Sequence, residues 1–116
     1  MSQFSAENLP RCPYTTTQKV ISGKWAILIL HLLESGPQRF NALHRGLDGI
    51  TQATLTKQLR QLEDDGLINR TVYPQIPPKV EYALTDIGQE FRLVLQQVET
   101  WGYKYIDFVK EKEGLA

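Results

Sequence analysis

Near the middle of the chain, the sequence contains two amphipathic segments joined by a short connection that includes glycine. In the second segment, leucines recur with the spacing of one face of an α-helix: Leu55, Leu59 and Leu62. Thr51 is placed to cap the start of this helix, and Gly66 is placed to end it in a left-handed conformation. The pattern predicts a helix-turn-helix over residues 41–65.

Two strand-like segments follow this predicted helix. Residues 67–73 and 79–84 alternate between polar and apolar side chains, and three prolines stiffen the loop between them. A hairpin directly after a recognition helix is the wing of a winged helix, so we predict a wing over residues 67–84. The segment Gln38-Arg39-Phe40 is too short for more than an edge strand, and we expect Asn41 to cap the helix that follows it.

The second helix of the predicted helix-turn-helix carries amides, hydroxyls and cations opposite its leucines. Side chains of these types contact base edges and phosphates in the major groove of DNA. The residues that we expect to contact bases are Gln52, Thr54, Thr56 and Lys57. The residues that we expect to contact phosphates or the groove beside the wing are Arg60, Arg70, Lys79, Arg39 and Lys24. A solvated surface helix would carry a similar face, and it is the neighbouring wing that favours DNA binding over this alternative.

The charge distribution agrees with a polyanion as partner. The formal net charge of the 116 residues is zero. Residues 11–80, however, contain nine Lys and Arg against five Asp and Glu, whereas residues 81–116 contain four against seven. A basic front and an acidic rear suit a protein that meets double-stranded DNA on one side only.

Other classes of function find no support in the sequence. There is no glycine-rich phosphate loop, no ligand cluster with metal spacing and no nucleophile beside a base, so we predict neither an enzyme nor a cofactor. The sequence shows no signal peptide and no apolar run long enough for a bilayer, so we expect no membrane association and a cytoplasmic location.

The C-terminal part predicts one long helix over residues 86–112, capped by Thr85. Its apolar residues follow a heptad-like spacing that starts at Ile87 and continues along an apolar seam: Phe91, Val94, Val98, Trp101, Tyr105 and Phe108. Packing against its own domain would explain the seam only as far as Val94, so we predict a homodimer that buries the rest. The predicted fold is α+β, mostly α: a single winged helix-turn-helix domain over residues 1–116 with a long C-terminal dimerisation helix.

The N-terminal third predicts an arm and two helices. Residues 1–11 are polar, and we expect them to be loosely ordered. A first helix begins near Pro13 and ends at Ser22-Gly23. Residues 24–34 are apolar on nearly all sides, which predicts a helix buried at the centre of the fold.

Cys12 is the only cysteine, so no disulfide can form within the chain. It precedes the predicted first helix and follows Arg11, and both features favour a thiolate. The commoner fate of a lone cysteine is to be a small buried hydrophobic residue, and the residues alone favour that alternative.

Taken together, several segments resemble the HxlR-type transcriptional regulators, a branch of winged-helix proteins similar in architecture to the MarR group. The segments that carry the resemblance are Cys12-Pro13, Gly23-Lys24-Trp25, Gly36 with Arg39-Phe40, the run from Leu62 to Arg70, the run from Pro77 to Thr85, Gly88 and Trp101-Gly102. The resemblance implies a dimeric regulator that binds an inverted repeat in a promoter. It also implies that Cys12 senses oxidants or electrophiles. Such proteins often have arginine at the position of Lys79. A lysine keeps the positive charge but lacks the planar guanidinium group that forms bidentate hydrogen bonds.

Two alternatives to thiol sensing remain open at this point. One is a regulator that responds to a small molecule in an aromatic pocket lined by Trp25, Trp101 and Tyr105. The other is a winged helix that serves only for protein–protein contact, which would not need the outward-facing cations.

Overall fold

The computed structural model describes residues 2–114 and shows a winged helix-turn-helix, which confirms the predicted fold class. The helices of this region are α1 (Pro13–Val20), α2 (Ala26–Leu32), α3 (Phe40–Gly46), α4 (Gln52–Asp64) and α5 (Asp86–Lys112), with a 3-10 turn at Leu33–Ser35. The strands are β1 (Gln38–Arg39), β2 (Ile68–Tyr73) and β3 (Lys79–Leu84). They form one antiparallel sheet in the order β1-β3-β2.

Local signals define both ends of α4. At its start, the hydroxyl of Thr51 accepts a hydrogen bond from the amide of Thr54 at 3.1 Å. At its end, Gly66 adopts a φ of +84°, and the amide of Leu67 donates to the carbonyl of Leu62 at 2.9 Å. This left-handed closure turns the chain so that Leu67 packs back into the core.

The core forms where α4 meets the other elements of the domain. The largest fully buried side chains are those of Ile29, Leu30, Leu33, Leu43, Leu55, Leu59, Leu62 and Ile68. They come from α2 and its 3-10 extension, α3, the leucine face of α4 and the base of β2. Burial of this face leaves the opposite face of α4 in solvent.

The prediction that α2 is buried on every side is wrong. Ala26, Ile29 and Leu30 are buried, but Leu28 is 43% exposed and His31 points to solvent beside Glu34. A helix of seven residues at the edge of a small core packs against its neighbours through one face only. Its opposite face stays exposed even when the residues on it are apolar.

The predicted cap of α3 is also wrong. The helix begins at Phe40, with Arg39 at the N-cap and no side-chain capping bond. Gln38 pairs with Tyr82 and Arg39 pairs with Glu81. This pairing keeps the chain extended as far as Arg39, directly before the first helical residue. Asn41 therefore lies inside the first turn instead of before it.

The start of α5 is fixed to the end of α4. The hydroxyl of Thr85 accepts from the amide of Gly88 at 3.2 Å and lies within hydrogen-bonding distance of the carbonyl of Gly66. The backbone amide of Thr85 also donates to the carbonyl of Leu67 at 3.0 Å. A methyl group on Gly88 would lie only 2.2 Å from that Leu67 carbonyl oxygen. The chain therefore needs glycine at this close approach.

The part of α5 that faces its own domain is offset from the predicted seam. Gly88 and Leu95 are buried and Phe91 is partly buried, whereas Ile87 is 58% exposed and Val94 is 39% exposed. The expectation that the domain itself covers Ile87 and Val94 is therefore wrong. The rest of the domain packs against one stripe of α5. Most of the residues of the apolar seam lie on an adjacent stripe, which remains exposed to solvent.

The N-terminal arm is more ordered than its polar sequence predicts. The hydroxyl of Ser2 and the side-chain amide of Gln3 donate to the carboxylate of Asp65, at 2.8 Å and 2.9 Å, and the Gln3 backbone amide donates at 3.1 Å. Burial raises the pKa of Asp65, but these bonds and one from Gln61 outweigh it and lower the pKa below its ordinary value. The carboxylate at the C-cap of α4 thus fixes the start of the arm to the end of α4, although Ser2 and Gln3 remain exposed.

We expect Gly88→Ala to lower the free energy of unfolding by about 1–3 kcal/mol, because the added methyl group overlaps the Leu67 backbone. Helix propensity alone would give alanine an advantage of up to ~1 kcal/mol over glycine. Urea denaturation followed by circular dichroism measures the difference. Gly102→Ala is the control, because a methyl group there meets nothing within 4 Å in its own chain and should not destabilise it. A Gly88→Ala variant as stable as wild type would contradict the close approach.

Candidate nucleic-acid interface

The outward face of α4 presents the predicted base-contacting residues to solvent. Gln52, Thr56 and Lys57 are exposed, and so is Arg60, one turn beyond Thr56. Thr54 is exposed too, but its hydroxyl accepts a hydrogen bond from Thr51 at 2.9 Å as part of the N-cap. Thr54 can still donate one hydrogen bond to a ligand. Gln52 and Thr56 can both donate and accept hydrogen bonds, and Lys57 and Arg60 can donate them.

A small polar cleft of about 150 Å³ lies between α4 and the base of the wing. It is lined by Thr56, Arg60, Glu63, Arg70 and Tyr82. Glu63 lies 3.6 Å from Arg70, which offsets part of the charge of that guanidinium. Burial raises the pKa of the Tyr82 phenol; Arg70 and Arg60 lower it by less. The phenol stays neutral over the physiological range and retains its proton for hydrogen bonding.

Two of the cations that were predicted to contact phosphates instead contact neighbouring side chains within the chain. Lys79 is half-buried, lies 3.4 Å from the carboxylate of Glu81 and sits 4.7 Å above the ring of Tyr73. Lys24 sits 4.8 Å above the ring of Trp25. Both ammonium groups would have to exchange these contacts to reach a phosphate.

Arg39 lies between two clefts at the junction of β1, α3 and the wing. One, of about 350 Å³, is shared with Asn41 and Arg45, and the other, of about 400 Å³, is shared with Pro78 and Lys79. Arg45 is not among the contacts predicted from the sequence. Its position four residues after Asn41, on the side of α3 opposite the buried Leu43, is the periodicity signal that identifies it.

The loop before α2 approaches α4 at Gly23. A side chain on Gly23, which has a φ of +91°, would meet the amide of Gln58 at 2.9 Å. Lys24 is the next residue after this contact with α4, although it is 28 residues before Gln52 in the sequence. The cations predicted for DNA thus come from four separate segments: the Lys24 loop, β1, α4 and the wing.

Cys12 occupies the N-cap of α1 and is exposed, so the alternative of a small buried residue is wrong. The backbone amide of Thr15, the Thr15 hydroxyl and the backbone amide of Tyr14 lower the pKa of the thiol, in that order. These groups, and not Arg11, account for the shift. The unpaired backbone amides at the N-terminus of a helix stabilise negative charge, and in α1 the group placed next to them is the sulfur of Cys12.

The apolar seam of α5 is largely open to solvent. Trp101 is 65% exposed, Tyr105 51% and Phe108 56%. Their rings follow one another along the helix, with centroids 5.2 Å apart for Trp101 and Tyr105 and 5.9 Å for Tyr105 and Phe108. Trp25 instead packs against the core. The three aromatics proposed for a ligand pocket are therefore not brought together, because Trp101 and Tyr105 lie on the half of α5 that leaves the domain.

Comparison with known proteins then decides the family. A family model described as the HxlR-like helix-turn-helix matches residues 20–110. The chain belongs to the HxlR-like helix-turn-helix family. The predicted resemblance is thereby confirmed.

The relatives of this HxlR-like protein are transcriptional regulators. The chain is 44% identical over 111 residues to the HTH-type transcriptional regulator YdeP of Bacillus subtilis, covering 96% of this chain and 87% of YdeP. The reduced form of the redox regulator HypR superposes with a TM-score of 0.82 at 41% identity, covering 86% of this chain and 99% of HypR. Diamide-treated YodB of B. subtilis superposes with a TM-score of 0.69 at 32% identity, covering 81% and 94%. This chain is accordingly a helix-turn-helix transcriptional regulator and not an enzyme.

None of the helices formed within residues 2–114 is both long enough and apolar enough to span a membrane.

We expect the lowered pKa of Cys12 to make the thiol react faster with iodoacetamide at neutral pH than a free cysteine does, because a larger fraction is thiolate. Thr15→Val removes the hydroxyl that favours the thiolate, so its alkylation profile should shift to higher pH. The pH dependence of the alkylation rate measures both effects, and a peptide of residues 9–17 serves as the unfolded control. A wild-type profile that coincides with that of the peptide would refute the prediction.

Proposed function

We propose that this HxlR-like regulator binds an inverted-repeat promoter operator in the cytoplasm as a homodimer, and that modification of Cys12 changes its affinity for that operator. The observation that carries the proposal is the division of α4 into two faces. One face is buried through three leucines, and the other presents amide, hydroxyl and cationic side chains that have no role in the core.

The proposed assignments follow from position. Gln52, Thr56 and Lys57 on the first turns of α4 would contact base edges in the major groove, with Thr54 as a donor. The proposed contacts to phosphates or to the groove beside the wing are Arg60, Arg70, Lys79, Arg39 and Lys24, joined by Arg45. A protein bound mainly through phosphates would lose affinity steeply with salt, whereas base contacts give sequence preference.

A homodimer is supported by the exposed seam on α5. Large apolar surfaces left open on a small chain mark sites of association. The proposed interface residues are Phe91, Val94, Val98, Trp101, Tyr105 and Phe108. A two-fold dimer places two α4 helices in successive major grooves, roughly 34 Å apart, which is why an inverted repeat is the expected operator.

The proposed signal is an oxidant or an electrophile that reacts with Cys12. Its support is an exposed thiol with a lowered pKa, together with the likeness to HypR, solved as a redox regulator in reduced and oxidised forms, and to YodB, solved after treatment with diamide. With one cysteine per chain, any disulfide must join Cys12 residues of two chains or Cys12 and a small thiol.

For DNA binding, an operator is first selected from a random DNA library and then titrated by fluorescence anisotropy. Lys57→Ala and Arg60→Ala should each weaken binding by about 1–3 kcal/mol where the side chain makes a bidentate base contact. A contact to phosphate alone should weaken all sequences alike and reduce the salt slope. Lys112→Ala, an exposed cation at the far end of α5, is the matched control. If neither α4 variant differs from that control, the assignment of α4 as the recognition helix fails.

For sensing, operator affinity is measured before and after treatment with diamide. We expect a change of about tenfold for the wild-type protein, within the usual range of coupling between two sites, and no change for Cys12→Ser. The serine variant keeps the size and exposure of the side chain and lacks only the thiol. A Cys12→Ser protein that responds to diamide like wild type would exclude Cys12 as the sensor.

A further inference from the structure

One stripe of α4 faces the base of the wing, next to the buried leucines. Thr56, Arg60 and Glu63 each follow one of those leucines by one residue, so they lie on one side of the helix. On the wing, Arg70 of β2 pairs directly with Tyr82 of β3, and side chains paired in this way project from the same face of the sheet. The polar cleft of about 150 Å³ lies where these two surfaces meet.

The hydroxyl of Tyr82 has no partner in this cleft. The residue is half-buried, and its hydroxyl forms no hydrogen bond within residues 2–114. A tyrosine hydroxyl that is withdrawn from water usually finds a hydrogen-bond partner. Because burial raises the pKa of Tyr82, the hydroxyl keeps its proton over the physiological range and can donate it to an acceptor.

The cleft contains more hydrogen-bond donors than acceptors. Arg60 and the hydroxyl of Thr56 form no hydrogen bond or ion pair with any residue that the structure describes. Both Arg60 and Arg70 act on the Tyr82 phenol, since each lowers its pKa against the larger effect of burial. The only carboxylate among the lining residues is that of Glu63, and it lies 3.6 Å from Arg70, beyond hydrogen-bonding distance. The cleft therefore lacks an acceptor that could bind several of these donors at once.

We propose that the cleft binds one phosphodiester group of the operator backbone, and that the Tyr82 hydroxyl donates a hydrogen bond to it beside the guanidinium groups of Arg60 and Arg70. This inference rests on the DNA binding of the proposed function and adds Tyr82 to its contacts. A phosphodiester supplies a negative charge and unesterified oxygens that accept several hydrogen bonds. The size agrees, because the cleft has the volume of about five water molecules and a phosphate group consists of phosphorus and four oxygens.

Tyr82 and Glu63 make this contact depend on where the phosphate lies. The carboxylate of Glu63 offsets part of the charge of Arg70, so the cleft attracts a distant polyanion less than two unpaired guanidinium groups would. The neutral hydroxyl of Tyr82 acts only at hydrogen-bonding distance. A phosphate at the correct position gains this bond, and a displaced one does not. The cleft would thus fix the orientation of α4 on the duplex without reading a base.

Tyr82→Phe removes only the hydroxyl and tests the contact by fluorescence anisotropy on the selected operator. We expect a loss of affinity of about tenfold or more, as for a hydrogen bond to a charged group. The dependence of affinity on salt should stay as in wild type, because a neutral donor releases no counterions, whereas Arg60→Ala should reduce it. Tyr103→Phe is the matched control, since this exposed tyrosine lies on α5 outside the cleft.

A purely structural role for the hydroxyl predicts a different result. Because the hydroxyl forms no hydrogen bond within residues 2–114, Tyr82→Phe should unfold at the same urea concentration as wild type. A variant that unfolds at a lower concentration would show that the hydroxyl already has a partner in the free protein, and it would overturn the inference.

Neutral methylphosphonate groups, placed one at a time in the operator, locate the phosphate. At one backbone position in each half-site, wild type and Tyr82→Phe should bind the modified operator equally, because the contact is already lost. At the other positions the difference between them should persist, since independent sites contribute additively. A difference that persists at every position would show that the hydroxyl does not contact a phosphate.

A free phosphate ion offers the same chemistry as the DNA backbone. Inorganic phosphate, added at constant ionic strength, should weaken operator binding no more than chloride does. Specific inhibition by phosphate that Tyr82→Phe abolishes would assign the cleft to a free ligand and overturn the proposed occupant.

The outcomes also separate this inference from the proposed function. A wild-type protein that selects no DNA from the random library overturns the proposed function itself. If wild type binds its operator and Tyr82→Phe binds as well as Tyr103→Phe does, only the phosphate contact of Tyr82 is overturned. A loss of affinity that disappears at one methylphosphonate position establishes it.

Discussion

The placement of α4, the proposed recognition helix, depends on the junction where the chain leaves α4 and passes beneath the start of α5. Gly66 turns the backbone, Thr85 binds the carbonyl groups of that turn, and Gly88 allows the Leu67 backbone to approach α5. No side chain on α5 would allow the same approach at this point. The end of α4 and the beginning of α5 are thus one rigid unit. In the proposed dimer, the angle between two α5 helices therefore sets the distance between two recognition helices.

The electrostatics follow from a chain that has no net charge. Several cations near the proposed DNA-facing surface already have partners: Lys79 lies beside Glu81, Arg70 beside Glu63 and Lys24 above Trp25. When one of these cations contacts a phosphate, it loses its partner within the chain. The net contribution of each such contact to the binding free energy is therefore small. The proposed affinity for DNA rests more on α4, where Lys57 and Arg60 make no ion pair within residues 2–114, than on a general attraction to polyanions.

The accuracy of the sequence predictions follows from how local each signal is. The cap at Thr51, the glycine end at Gly66 and the cap at Thr85 were confirmed, because each depends on hydrogen bonds within a few residues. The predicted cap at Asn41 was wrong, because pairing of β1 with β3, more than forty residues away, decides where α3 begins. Arg45 was missed for a related reason: it joins the candidate interface only when α3 lies beside the wing. Of the candidate site, the residues on α4 could be predicted from helical periodicity, and Arg70 and Lys79 from the alternating pattern of the wing. No local pattern places Lys24, Arg39 and Arg45 beside them.

The sequence by itself determined where most of the helices and strands lie, although not where α3 begins, and which face of α4 is apolar, because propensity, capping and periodicity act over one or two turns. Tertiary structure alone decided which stripe of α5 the domain covers, that Cys12 stays exposed and that Asp65 holds the N-terminal arm. Each of these depends on atoms brought together from distant parts of the chain. A heptad pattern shows that a helix has an apolar stripe, but only the packing of Gly88 against Leu67 shows that the domain takes a neighbouring stripe and leaves the seam open.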